Sequence, residues 1–215
     1  TPSVAGNRKT WTWSGWVKRA GTGIQQNIFS GYSATTDVGL FTVVFSSADE
    51  LLFNAATFNF CATNEKFRDP SAWYHIIYTF DSTNATANNR QRLWVNGAEI
   101  TAFRLRTNPS LNTDYGINQA ANHNIGKHAF NAVTYLDGYL SEVNFIDGLA
   151  LTPDSFGETG DYGEWKPLKY TGAYGTNGFY LDFADSGNLG KDLSINANNW
   201  TPTNLAATDQ MLDSP

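Results

Sequence analysis

Apolar residues recur along this chain with a period of two. In residues 73–81 (WYHIIYTFD), Tyr74, Ile76, Tyr78 and Phe80 alternate with Trp73, His75, Ile77 and Thr79, which is the pattern of a strand and not of a 3.6-residue helix. Residues 81–89 (DSTNATANN) are turn formers, and after them Leu93 and Val95 alternate with Arg92 and Trp94 before Asn96-Gly97. The pattern predicts a long hairpin whose second strand ends in a tight turn. Type I′ geometry needs positive φ at two successive residues, which Gly adopts freely and Asn tolerates.

Residues 11–18 (WTWSGWVK) set Trp11, Trp13, Gly15 and Val17 against Thr12, Ser14, Trp16 and Lys18, so aromatic bulk falls on both faces and a central strand is expected. Short β-rich runs at 27–31, 40–45, 51–54 and 57–61 are separated by Gly, Ser, Asp or Thr, a recurrence typical of sandwiches. Residues 98–105 are expected as one strand and 123–128 as a short one. Residues 139–146 follow, with Tyr139, Val143 and Phe145 on one face. Thr152-Pro153-Asp154-Ser155 supports a single helical turn, and 179–183 is a further strand. The expected fold is all-β, a two-sheet antiparallel sandwich with almost no helix. Residues 1–157 would form its core, 158–200 a Gly/Tyr-rich segment and closing strand on the same domain, and 201–215 a polar tail or linker.

Composition narrows the partners. Aromatic residues make up 14% of the 215, enough for a substantial core, while charged residues reach only 16% against about 25% in an average domain. A net charge of -6 repels a phosphate backbone, so no nucleic-acid partner is expected. No apolar run approaches the roughly 18 residues of a membrane span, so no membrane insertion is expected. The single cysteine, Cys61, excludes an internal disulfide and reads as a small buried hydrophobe. The chain opens on Thr-Pro-Ser and not on Met, as a processed or excised piece of a longer protein would.

Five stretches in order, WTWSGWVK (11–18), WYHIIYTFD (73–81), RLWVNG (92–97), Ile125-Gly126 and DGYLSEVNFIDGLAL (137–151), resemble the laminin G-like branch of the concanavalin A-like jelly rolls over roughly residues 8–157. The resemblance implies a jelly-roll sandwich and recognition of a glycan or cell-surface polysaccharide. Residues 179–201 are similar to a loop that normally opens such a domain, so they either close the sandwich in permuted order or begin another module. The Gly/Asn-rich, nearly cysteine-free texture also resembles modules of tailed-bacteriophage structural proteins. That likeness implies an extracellular or virion-surface location among other subunits of a larger assembly.

Candidate chemistry is sparse. A glycoside hydrolase needs two carboxylates flanking a cleft, and Glu142 and Asp147 fall on opposite faces of an expected strand, so no enzyme is expected. His75, His123 and His128 lack a paired nucleophile motif and are expected to be structural. Asp182, Asp185, Asn188 and Asp192 form the densest cluster of hard oxygen donors, the type calcium takes, with ordinary turn chemistry the preferred reading. Tyr162, Trp165, Tyr170 and Tyr174, with Asn177 nearby, are the candidate glycan platform. Packing of the same rings onto the sandwich is the competing reading. A structural decoration module and a polysaccharide-cleaving enzyme are the alternatives to a recognition module.

Overall fold

Two tryptophans fix the centre of the molecule. Trp11 and Trp13 have no solvent exposure, and Trp11 packs within 5.2–5.9 Å of the rings of Phe41, Tyr78, Phe80 and Phe145. The computed structural model describes residues 1–130 and 134–215. Its strands are Thr10–Arg19 (β1), Gln26–Tyr32 (β2), Leu40–Phe45 (β3), Leu51–Asn54 (β4), Asn59–Thr63 (β5), Trp73–Asp81 (β6), Gln91–Val95 (β7), Ala98–Glu99 (β8), Phe103–Arg106 (β9), Asn122–Ile125 (β10), Gly138–Asp147 (β11), Gly157–Thr159 (β12), Trp165–Pro167 (β13) and Phe179–Leu181 (β14). Among the described residues the only helical pieces are three-residue 3-10 turns at Ala87–Asn89, Pro153–Ser155 and Ala207–Asp209.

The strands build two six-stranded antiparallel sheets, ordered β14-β11-β1-β6-β7-β8 and β10-β2-β3-β4-β5-β9. The all-β sandwich expected from the sequence is the fold found. The main core lies between the sheets, where Trp11, Trp13, Val17, Ile76, Tyr78, Phe80, Val143 and Phe145 meet Phe29, Phe41, Val43, Phe45, Phe53 and Phe60. β1 is central, pairing with β11 on one side and β6 on the other. The hairpin turn is as the sequence requires, with φ of +50° at Asn96 and +79° at Gly97.

Four local expectations are corrected. Residues 98–105 are not one strand. Ile100 donates its N–H to Leu93 O and buries its side chain in the core, so the chain leaves the first sheet there and re-enters the second as β9. The run at 57–61 forms its strand two residues later, as β5. The strand expected over 123–128 stops at Ile125, because Gly126 turns the chain at φ +72°. Tyr139 does not share the face of Val143 and Phe145. Glu142 sits at φ +52° where the β1–β11 register slips between Ser14 and Trp16, and this bulge inverts the alternation, leaving Tyr139 exposed while Leu140 packs on the core.

β14 pairs antiparallel with β11 and completes the first sheet. The chain then returns across the seam between the β14 and β10 edges. Trp200 closes that seam, 5.0 Å from the Phe179 ring and 6.4 Å from Phe29. Replacing Trp200 with alanine removes a half-buried indole from this closure, so we expect a loss of about 2–4 kcal/mol in urea unfolding. A loss under about 0.5 kcal/mol would show that the seam closes without it.

Candidate functional site

The outer face of the first sheet carries a second apolar layer. Ile77, Trp94, Ile146 and Tyr180 are covered by Phe156 and Tyr174, with Leu151 and Tyr170 alongside. Residues 148–178 thus form a cover, and most of the candidate aromatic platform is spent on it. Tyr174 is buried and its hydroxyl donates to Asn144 Oδ1 at 3.0 Å. Tyr170 lies edge-on to Tyr174 at 5.2 Å, near Phe156, and donates to Ala173 O. Asn177 donates to Asn118 Oδ1 and Val4 O through its amide and to Asp147 Oδ2 through its backbone, tying down the N-terminal segment. Tyr162 alone stands free, 97% exposed at the β12–β13 turn.

Trp165 joins a stacked Trp16–His75 pair at its edge. The Trp16 and His75 rings are parallel at 4.7 Å, and the Trp165 ring lies beside the imidazole, 6.1 Å away and tilted 25° from its plane. The glycine of the Asn96-Gly97 turn makes room for this indole, since a Cβ at Gly97 would sit 2.7 Å from it. Ser14 Oγ lies 2.8 Å from His75 Nε2, the spacing of a nucleophile and its base. The third partner rules that role out. Trp165 Nε1–H can only donate, and it donates to His75 Nδ1 at 2.8 Å. Nδ1 is therefore bare, Nε2 carries the proton, and the proton points at Ser14. The imidazole cannot take a proton from the serine it already donates to. His123 is likewise locked, accepting Asn118 N–H at Nε2 and facing Ala121 O through Nδ1.

The carboxylates also fall into separate networks. Asp147 accepts from Asn7 N and Asn118 Nδ2 as well as Asn177. Glu142 Oε2 accepts the Tyr180 hydroxyl at 2.7 Å, and burial raises its pKa. Of the calcium candidates, Asp192 spends both oxygens on donors of its own segment, accepting Tyr180 N and Ser194 N at Oδ1 and Ser194 Oγ and Asn198 N at Oδ2. Asp185 caps Gly187 N and pairs with Lys191 at 3.3 Å, Asp182 caps Ala184 N, and Asn188 contributes a backbone turn bond to Asp185 O. These are turn bonds, and they do not bring the four side chains to one point. Among the described residues no group of three or more His, Cys, Asp or Glu side chains is arranged to hold a metal.

Two hollows remain. The larger, about 960 Å³, is the seam beneath residues 198–214, walled by Phe29, Phe145, Phe179 and Trp200. The returning chain already crosses it, so a ligand there would have to displace that chain. The smaller, about 330 Å³, lies on the outer face of the second sheet. It is built by the strand pattern itself. Phe41, Phe53 and Phe60 face the core, so their neighbours Thr42, Asn54 and Asn59 face outward, and the register aligns Thr42 with Asn54 and Asn54 with Asn59. Three uncharged hydrogen-bonding side chains thus stand in a row across β3, β4 and β5, with strands spaced about 4.8 Å apart. Gln25, Thr57, Phe58 and His128 rim the hollow. This row lay unread in the sequence, although its polar positions alternate with Phe in LFTVVF, LLFN and TFNF.

An antiparallel jelly-roll sandwich with a hollow on one sheet defines a protein of the lectin fold class. The chain belongs to the concanavalin A-like lectin/glucanases superfamily, whose family profile matches residues 1–155. No curated protein matches it in sequence. Among solved structures, a provisionally assigned carbohydrate-binding protein of Bacteroides ovatus aligns at 16% identity and TM-score 0.54, over 83% of this chain and 46% of that one. The chain therefore spans about half the length of that relative. The heptameric SAP-like pentraxin of Limulus polyphemus aligns at 18% identity and TM-score 0.48, over 70% and 69% of the two chains. The sialidase CBM40 of Ruminococcus gnavus, bound to α2,3-sialyllactose, aligns at 16% and 0.45, over 71% and 81%. At such identities the likeness is one of fold.

The locked histidines set the response to acid. Burial drives the pKa of His75 from 6.5 down to about 3 and that of His123 to about 4. The folded state therefore refuses a proton that the unfolded chain accepts. Their contribution is complete above pH 6.5 and is lost as the pH falls toward those folded values. Between pH 7 and 5 we expect the unfolding free energy to drop by about 2 kcal/mol per histidine. Glutamine at position 75 can accept from Trp165 and donate to Ser14 but takes no proton. His75→Gln should remove about half of that acid slope in urea titrations, and an unchanged slope would show that His75 titrates normally.

Proposed function

We propose that this chain is a non-catalytic carbohydrate-recognition domain that binds its glycan in the hollow on the second sheet. The observation that carries this reading is the row Thr42, Asn54 and Asn59. It offers amide and hydroxyl groups of the kind that exchange hydrogen bonds with sugar hydroxyls, with Thr42 at the buried floor of the hollow and Asn54 and Asn59 half-buried beside it. Phe58 borders the hollow with its ring packed on Phe60 and Tyr115, which fixes the backbone that carries Asn59. Membership of a lectin and glucanase superfamily supports the sugar class without fixing it, because fold alone does not assign function. The absence of catalysis is inferred from the locked Ser14-His75 pair and the separate carboxylate networks.

The resemblance to tailed-bacteriophage structural modules extends the proposal to a place on a virion or cell surface, beside other subunits of a larger assembly, where many weak sugar contacts would act together. A glycan array probed with the soluble chain is expected to return a defined group of glycans sharing one terminal or internal residue. A uniformly silent array, with the chain shown to be folded by circular dichroism, would refute the recognition function. Antibody raised against the chain should label intact particles or cells, and labelling confined to lysed material would remove the surface placement.

A further inference from the structure

The hollow's lining also specifies the charge class of its ligand, an inference that rests on the sugar-binding reading above. Its walls are Gln25, Leu40, Thr42, Asn54, Ala55, Ala56, Thr57, Phe58, Asn59 and His128, among which there is no Asp, Glu, Lys or Arg. An anionic sugar, such as a sialic or uronic acid, is held most strongly where a cation or a bidentate guanidinium replaces the water it loses. None is offered. A charge that borders the rim has the wrong sign: Asp37 grips the rim residue Thr57 through its N–H and its hydroxyl, both at 2.7 Å.

The hydrogen-bonding demand at the floor is that of a hydroxyl. Asn54 Nδ2 donates to Thr42 Oγ1 at 3.1 Å, which leaves the Thr42 hydroxyl proton to be given elsewhere. Asn54 Oδ1 is shielded and has no donor among the described residues, a deficit that disfavours the empty arrangement. The Asn54 side-chain torsion next to the amide is broad, so the amide can turn to meet an incoming hydroxyl. A group that both donates and accepts satisfies both residues, and a carboxylate, which only accepts, leaves Oδ1 unsatisfied. On β5 the Asn59 amide has no hydrogen bond among the described residues, and it stands one strand further along the row.

We propose that the hollow selects an uncharged pyranose, held by hydroxyls between Thr42, Asn54 and Asn59 and needing no metal ion. The test is isothermal titration of the whole chain with the neutral oligosaccharides that score on the array, alongside sialylated and uronic-acid-bearing ones, with and without EDTA. Binding to neutral sugars, unchanged by EDTA and weakened about tenfold or more in Asn59→Ala, is the expected result. Thr42→Val should weaken it similarly. If that variant fails to fold, Asn59→Ala still decides, because its amide holds no other part of the protein. Three outcomes overturn the inference but leave glycan recognition standing: binding only to acidic sugars, loss of binding in EDTA, or neutral-sugar binding that ignores both substitutions. Silence toward every sugar overturns the recognition reading as well.

Discussion

The first sheet has apolar residues on both of its faces, and that double demand organises everything around it. β1 places Trp11, Trp13 and Val17 on one side and Trp16 on the other, and β6 does the same with Ile76, Tyr78 and Phe80 against Ile77. A sheet buried on both faces needs two covers. The second sheet provides one, through a core dominated by phenylalanine. The other comes from residues 148–178, whose Phe156, Trp165, Tyr170 and Tyr174 lie on the outer face. Hydrogen bonds finish the attachment, since the half-buried Trp165 and the buried Tyr174 give their N–H and O–H to His75 and Asn144. The β14 edge and Trp200 then close the side that the two sheets leave open.

This arrangement also decides where chemistry is available. On the first sheet, groups that would look catalytic in isolation are committed to holding the cover. The tautomer of His75 is set by an indole that can only donate, and the strained Glu142 meets the Tyr180 hydroxyl. The strong ion pairs are committed as well. Asp49 is held between Arg19 and Arg68, and Glu50 between Lys66 and Arg104, which drives the Glu50 pKa down to about 2 through its bond to Arg104 despite burial. What remains open is part of the outer face of the second sheet. Its polar positions there are neutral, in keeping with a chain whose charged content is low throughout.

The contacts of Lys127 and Thr134 mark one border of that face. Ser30 Oγ donates to Lys127 O and Asn27 Nδ2 reaches Thr134 Oγ1, which ties both residues to β2, while Asn54 on β4 and Asn59 on β5 keep partial exposure beside them. A ligand bound there, as proposed, would meet side chains carried on regular strands, which have less freedom to lose than those of a loop.

The sequence by itself determined the central strands, the all-β class and the family, because alternation is a local property and is set by which neighbouring residues need burial. WTWSGWVK announced a strand buried on both faces, and Asn96-Gly97 announced its turn. Tertiary structure decided everything that depends on which distant segments meet. Nothing local distinguishes a tyrosine displayed to a sugar from one covering a sheet, so Tyr170 and Tyr174 could be read either way until Phe156 and Asn144 were placed beside them. The Asp and Asn residues of 182–192 have the oxygen donors of a metal loop and of a turn alike, and only the fold brings Tyr180 N, Ser194 N and Asn198 N to the Asp192 carboxylate. The row of Thr42, Asn54 and Asn59 is spread over three strands and exists only once their register is fixed. The bulge at Glu142, which moves Tyr139 out of the core, comes from β1 and β11 holding register on both sides of Gly15, a constraint between residues more than a hundred positions apart.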